Sequence, residues 1–247
     1  MKKIIAIEAG ICLVGMIFFA QINGTSSSAM ASNDDVRLKT FVHYPKDHGR
    51  PAPPSYCSVT INDQVSDFGL AGWQMPTAGM SYAINYGTKP TNLTNNDVLN
   101  GVNASFAAWS AADSKQIFSN AGATNVRNAK RDGVNAILWK PISGSAIAIT
   151  YAWYNTLTGQ LVEADTVFNR NLKWSQTAYT AGDCDGVTGT YDLQNIGTHE
   201  FGHWVGLNDL YNTVDKDLTM YGYGETKELK KDTLGAGDVI GVNTIVP

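Results

Sequence analysis

Residues 199–203 read His-Glu-Phe-Gly-His, a spacing at which two imidazoles can bind one metal ion. In an α-helix, residues four apart lie on the same face, one turn from each other. His199 and His203 would therefore direct one nitrogen each at a shared cation, and Glu200 would lie beside a water molecule on that cation. The pattern predicts a metal centre that activates water.

A third metal ligand is expected shortly after the second histidine. Gly206 tolerates a positive φ and can end the helix in a sharp turn, and Asp209 follows three residues later. Two imidazoles and one carboxylate leave the fourth tetrahedral position for water, as in catalytic rather than structural zinc sites. Two simpler alternatives are a helix whose histidines only pack or face solvent, and an Asp209 that only caps or lines a loop.

This ligand set predicts metal-assisted hydrolysis of an amide. Zn²⁺ lowers the pKa of its bound water toward neutrality. Glu200 would accept the proton of that water, the resulting hydroxide would attack the scissile carbonyl, and Glu200 would then deliver the proton to the departing amine.

The residues after the third ligand extend the pattern. Residues 218–223 read Leu-Thr-Met-Tyr-Gly-Tyr. Together with the H-E-x-x-H-x-x-G-x-x-D stretch, they resemble the metzincin zinc peptidases, and within them the matrixin-like branch. The resemblance implies an endopeptidase with one catalytic Zn²⁺ held by His199, His203 and Asp209. It also implies that Met220 is the methionine of the Met-turn, which forms a soft hydrophobic floor under the histidines without binding the metal.

The sequence departs from the matrixin pattern at several positions. The third ligand is an Asp, which matches another variant of the clan, and the clan's tyrosine metal switch is replaced by Gly222, so we expect no such switch. Matrixin histidines that hold a second, structural zinc correspond to Tyr151 and Thr166, so we expect that site to be absent. His43 and His48 lie in the leader, and we do not expect them to replace those ligands.

We expect an α+β fold around this site. Strands are predicted at residues 81–86, 134–139, 146–154 and 161–168, and helices near residue 98, at about 192–206 and at about 235–246. The resemblance implies a metzincin-like domain with a twisted, mixed and mostly parallel sheet of about five strands, an active-site helix, and a small C-terminal subdomain with the Met-turn and final helix. It also implies that an extended substrate pairs with the exposed edge of strand 146–154.

Residues 1–31 are expected to be an export signal. Two lysines precede an uncharged apolar run, and Ala-Met-Ala at residues 29–31 is a suitable cleavage site. An uncleaved membrane anchor is the alternative. We therefore expect a secreted, extracellular or cell-surface protein, with a polar leader or extended arm at residues 32–58 and a zinc peptidase domain at residues 59–247.

Export determines how the cysteines are interpreted. Cys12 would leave with the signal, and in an oxidising compartment Cys57 and Cys184 are a candidate disulfide pair. Free thiols and a metal-binding Cys57 are the alternatives. The neighbours of Cys57 lack the Arg, Gly and Asp of the matrixin inhibitory motif, so we do not expect a zymogen that is opened by thiol release.

The net charge of the chain limits the classes of partner that we expect it to bind. The 247-residue chain has a formal net charge of −4, which provides no electrostatic basis for binding nucleic acid. We expect a monomer that acts on a protein or peptide substrate and meets a membrane only if its N-terminal segment is uncleaved. A non-catalytic zinc-binding surface or adhesion protein is the rival function, and a structural zinc with Cys57 as fourth ligand is a third.

Two pairs of acidic residues are candidate ligands for a second ion, Ca²⁺. They are Asp183 with Asp185, and Glu163 with Asp165. Neither pair supplies the six to eight oxygens of a full calcium loop. A solvated loop is the alternative for the first pair, and hydrogen bonding to a neighbouring loop is the alternative for the second.

Overall fold

A computed structural model of the chain describes residues 35–46, 65–177 and 186–245. The expected export signal, the candidate disulfide of Cys57 and Cys184, and the Asp183/Asp185 pair lie outside these residues. Within the described ranges, none of the helices combines the length and the apolar character that crossing a bilayer demands.

Seven strands of the described chain form one mixed sheet, and two short strands form a second. In chain order the strands are β1 (Val36–Pro45), β2 (Met80–Ile84), β3 (Phe118–Ala123), β4 (Ala136–Lys140), β5 (Ala148–Asn155), β6 (Leu161–Asn169), β7 (Trp174–Ser175), β8 (Tyr191–Asp192) and β9 (Tyr223–Gly224). The large sheet has the order β3-β2-β4-β6-β5-β1-β9, and β7 pairs with β8. The four predicted strands are present as β2, β4, β5 and β6, with ends that differ by at most two residues.

Most neighbours in the large sheet are parallel. The pairs β2–β3, β2–β4 and β4–β6 are parallel, whereas β5 runs antiparallel to β6. This α+β architecture with a mostly parallel mixed sheet agrees with the expected fold class. The sheet is larger than the expected five strands because β1 and β9 extend it beyond β5.

The strand β1 comes from the segment that was expected to be a polar leader or arm. It pairs antiparallel with β5 from Val36 opposite Asn155 to His43 opposite Ala148, and β9 pairs parallel with its C-terminal end. Both belong to one compact unit, Ala31–Pro247. The expectation that the outer edge of β5 is exposed is therefore wrong in this structure, because β1 occupies that edge.

Three α-helices are present in the described residues, at the places that the sequence predicted. They are α1 (Asn95–Ala112), α2 (Leu193–Val205) and α3 (Ala236–Thr244). Thr94 begins α1 through a capping box, in which its hydroxyl accepts from Asp97 N while the Asp97 carboxylate accepts from Thr94 N. Gly101, inside α1, lies where a Cβ atom would overlap the Gln176 side chain and approach Leu193 Cδ2 to 3.2 Å.

The helix α2 is enclosed by the rest of the fold. It contacts α1 on one side and β5 and β6 on another, and each of its residues except Gln194 is buried. Phe106 of α1 stacks on Phe201 with ring centroids 3.9 Å apart. Burial on all sides is typical of a core helix, so the two histidines and the glutamate of α2 need polar partners inside the protein.

Glu163 and Asp165 of β6 bind a neighbouring loop through hydrogen bonds. The Glu163 carboxylate accepts from the backbone N–H groups of Asp132 and Gly133 at 2.8 and 2.6 Å. The Asp165 carboxylate accepts from those of Lys130 and Ala136 at 2.9 and 2.7 Å. The structure thus shows this pair in the hydrogen-bonding role, anchoring the segment that precedes β4.

Candidate metal centre

The ends of α2 determine where its histidines lie. Asp192 begins the helix, because its carboxylate accepts from the N–H groups of Gln194 and Asn195. Gly206 ends it in the left-handed region, with φ of 109°, and a Cβ atom there would overlap the carbonyl oxygen of Trp73. Only glycine meets both conditions without strain. The sharp turn then returns the chain to the histidine face of the helix, as predicted.

The structure brings His199, His203 and Asp209 together. Oδ1 of Asp209 lies 3.1 Å from Nε2 of His199 and 3.6 Å from Nε2 of His203. A tetrahedral ion with bonds of about 2.0–2.1 Å holds its ligands roughly 3.3 Å apart. Within the described chain, the three atoms are buried and none of them has a hydrogen-bond partner. These residues form a group that could hold a metal ion.

The opposite nitrogen of each imidazole contacts a backbone carbonyl. Nδ1 of His199 lies 2.8 Å from the oxygen of Thr219, and Nδ1 of His203 lies 2.9 Å from that of Leu207. Because a carbonyl oxygen can only accept, each Nδ1 carries the hydrogen and each Nε2 presents its lone pair. Burial lowers the pKa of both histidines, that of His203 to about 4. Both are therefore neutral, as metal ligands must be.

Glu200 is buried next to these ligands and is held by one oxygen. Its Oε2 accepts a hydrogen bond of 2.5 Å from the hydroxyl of Thr150. The Thr150 hydroxyl lies 2.8 Å from that of Thr166 and accepts its hydrogen, and the Thr166 hydroxyl in turn accepts from Trp204 Nε1 at 3.1 Å. Burial raises the pKa of Glu200 to about 8, and the Thr150 hydroxyl opposes this shift. A cation bound at the adjacent ligands would lower this pKa again and favour the carboxylate form, which can accept a proton. Thr150 was not among the predicted site residues, since a threonine in a strand carries no local signal of this role.

Met220 packs directly on the helix that bears the ligands. A Cβ atom on Gly202 would overlap its sulfur. The Asp238 carboxylate at the start of α3 accepts from the N–H groups of Thr219 and Met220 at 2.7 and 3.0 Å. This anchors the segment whose carbonyl orients His199. The position suits the predicted floor of the site, and that role stays a prediction.

Tyr211 is a further residue at the centre that the sequence did not reveal. Its hydroxyl donates to Oδ2 of Asp209 at 3.1 Å, which is the carboxylate oxygen that does not face the histidines. Gly222 makes room for it, because a Cβ atom there would lie 2.5 Å from the Tyr211 ring. A tyrosine thus contacts the third candidate ligand from position 211 rather than from position 222.

The strand β1 supplies the remaining neighbours of the metal centre. The Phe41 ring stacks on that of His203, with centroids 3.8 Å apart and an interplanar angle of 9°. The His43 ring lies 3.9 Å from that of His199, and its Nδ1 is 3.4 Å from Oε1 of Glu200. His43, His199 and Glu200 form a second group that could hold an ion. His43 was expected to be a leader residue only, whereas the structure places it beside His199 and Glu200.

Comparisons with known proteins add no assignment. No protein-family model matches the chain, and no curated protein matches it. The case for a function therefore rests on the geometry of the metal centre and on the motif that carries it.

Proposed function

We propose that this chain is a secreted zinc-dependent endopeptidase of the metzincin type. The observation that carries the proposal is the convergence of three orphaned ligand atoms, from His199, His203 and Asp209, beside the carboxylate of Glu200. Zn²⁺ suits this set because two neutral imidazoles and one carboxylate are its usual catalytic ligands. When bound, it would polarise a carbonyl and acidify a water molecule.

The protein's own residues supply orientation and proton transfer. The carbonyls of Thr219 and Leu207 keep the Nε2 atoms of His199 and His203 directed at one point. Thr150 holds Oε2 of Glu200, which leaves Oε1 to take a proton from the attacking water and to give it to the departing amine. The acid and base roles thus fall on one carboxylate whose orientation is determined by strand β5.

The test compares the wild-type protein with Glu200→Gln. We expect both proteins to bind about one zinc per chain, because Glu200 is not in the proposed ligand set. Casein cleavage should fall by a factor on the order of 10² to 10⁴ when the base is lost. His203→Ala should lose both zinc and cleavage. Wild-type protein that takes up no zinc, or equal cleavage by wild type and Glu200→Gln once β1 has been released from the centre, would overturn the proposal.

A second candidate function is a non-catalytic zinc-binding surface or adhesion protein. One observation favours it, since His199, Glu200 and His203 are each no more than 1% exposed in this structure. A permanently enclosed metal would be structural. Zinc content together with the absence of Glu200-dependent cleavage, under conditions that release β1, would support this candidate over the peptidase.

A further inference from the structure

The strand β1 lies where an extended peptide would lie on this sheet. It is inserted between β5, to which it is antiparallel over eight residue pairs, and β9, to which it is parallel. Uptake of an extended chain along a sheet edge is a general mode of peptide recognition, in which the main chain gives affinity and alternate side chains enter the site. β1 therefore occupies the edge of β5 in the manner of a bound peptide.

Alternate side chains of β1 point into the metal centre. Lys39 donates to Asn208 Oδ1 at 2.7 Å, beside the third ligand. Phe41 covers the ring of His203, and His43 contacts both His199 and Glu200. Two successive inward residues, Phe41 and His43, thus contact members of the proposed catalytic set, and the third, Lys39, contacts the residue that precedes Asp209.

The His43 side chain is buried among Glu200, Lys231 and Gly224. Its Nε2 lies 3.2 Å from Nζ of the buried Lys231, and that ammonium donates to the carbonyl oxygens of Tyr221 and Tyr223 at 2.5 and 3.0 Å. A Cβ atom on Gly224 would lie 3.1 Å from the same imidazole nitrogen. The imidazole is therefore enclosed on several sides, although it belongs to a segment near the N-terminus.

The core of the domain depends little on β1. Only Phe41 and His43 of its ten residues are buried, and Phe41 is the one β1 residue in the main hydrophobic cluster of the described chain. Leu38 and Tyr44 are 51% and 44% exposed on its outer face. Loss of β1 would remove one apolar core side chain and a backbone ladder, while α1, α2 and the strands β2 to β6 keep their mutual contacts.

We propose that β1 is a resident, displaceable strand that fills the peptide groove between β5 and β9 and keeps the enzyme inactive until it leaves. The inference rests on the proposed peptidase function. No scissile carbonyl can approach Glu200 while Phe41 and His43 cover the centre. The inhibitory contacts are an imidazole and a phenyl ring on a substrate-like strand, so this form of latency needs no cysteine.

The experiment opens the full chain at a chosen place. A recognition sequence for a specific protease is built into residues 47–56, ahead of Cys57, so that a Cys57–Cys184 disulfide cannot retain β1 after cutting. The purified zinc protein is assayed with casein before and after cutting and dilution. Cutting converts an intramolecular contact, with an effective concentration on the order of mM, into a bimolecular one. We expect activity to rise at least about tenfold, and a synthetic peptide of residues 35–46 to restore inhibition.

Matched peptides and variants separate the outcomes. The peptide with Phe41→Ala and His43→Ala should inhibit at least about tenfold more weakly than the peptide with the outward substitution Thr40→Ala. In the uncut chain, Phe41→Ala together with His43→Ala should raise casein cleavage, whereas Thr40→Ala should leave it unchanged. Uncut protein that is already as active as the cut form, or peptides that inhibit equally, would overturn the inhibitory role.

Failure of the peptidase proposal would look different. A fluorescent 35–46 peptide that binds the cut zinc protein, with no casein cleavage above the level of Glu200→Gln, would support occupancy of the groove and overturn the peptidase. Loss of zinc and of cooperative unfolding on cutting would instead show that β1 is an integral strand, and would overturn its displaceability.

Discussion

The hydroxyl of Thr150 lies 2.5 Å from Oε2 of Glu200, and this contact ties the carboxylate of the ligand helix to the central sheet. Thr150 can donate to Glu200 only if it accepts from Thr166, which in turn accepts from the indole of Trp204. The three donors form one chain with a single direction, which ends on Glu200. A buried carboxylate is thereby oriented by groups that are not among the candidate metal ligands.

Thr150→Val should slow catalysis without removing the metal. The substitution keeps the shape of the side chain and its place in β5 but loses the hydrogen bond that orients Glu200. We expect kcat to fall by about tenfold, with KM and zinc content near the wild-type values. Steady-state kinetics on the opened enzyme measure this. Thr150→Ser is the control and should retain most of the rate, and equal kinetics for Ser and Val would contradict the orienting role.

Tyr211→Phe should weaken metal binding. The lost hydroxyl donates to Oδ2 of Asp209, and outer hydrogen bonds of this kind typically contribute a factor of about 10 to 100 in metal affinity. Competition with a chromogenic chelator measures the zinc Kd directly. Tyr223→Phe is the matched control, since its ring lies 5.5 Å from that of Tyr211 in the same aromatic cluster. A Kd that is the same in both variants would rule out this function for Tyr211.

Gly202→Ala should destabilise the fold at the metal centre. The added methyl group would overlap the sulfur of Met220 and lie 2.7 Å from Cζ2 of the fully buried Trp109. Overpacking of this kind costs about 1–3 kcal/mol, which urea denaturation of the zinc protein can resolve. Gly101→Ala is the contrast, because the overlapping atoms there are the far end of the Gln176 side chain, which can rotate away. Similar losses in the two variants would argue against a rigid contact at Met220.

Asp165 should make the free energy of unfolding depend on pH. Burial raises the pKa of its carboxyl to about 7, Glu163 and Asp132 add to the shift, and two backbone amides oppose it. In the unfolded chain the value is about 3.9. Between these values the folded state keeps a proton that the unfolded state releases, so this contribution is complete below about pH 4 and is lost as the pH rises through 7.

The matched measurement is Asp165→Asn against wild type, by urea denaturation of metal-free protein at several pH values. The Asn variant should be less stable throughout, because it replaces one of two acceptors for the backbone amides of Lys130 and Ala136. Its stability should also fall less than that of wild type between pH 4.5 and 7. Parallel pH curves for the two proteins would exclude Asp165 as the titrating group.

The strand β1 is the element that could not be predicted from the sequence. A half-buried strand is normally recognised by apolar residues on its inner face. Here the inner face carries Lys39, Phe41 and His43, while Leu38 and Tyr44 face outward. The alternation is inverted because the inner side chains face a polar metal centre rather than an apolar core. Composition therefore indicated a leader, and the pairing with β5 was missed.

The local features of the site were readable from the amino-acid sequence. The interval between His199 and His203, the end of the helix at Gly206 and the return to Asp209 all depend on contacts within eleven residues, where helix geometry and a positive φ determine position. The main strands and helices followed for the same reason. Only the tertiary structure decided which distant residues complete the centre. Thr150 reaches it through the pairing of the sheet, Tyr211 through the space left by Gly222, and His43 through the insertion of β1. Contacts such as that between His43 and Lys231 join residues 188 positions apart. A single sequence has no local signature for such contacts.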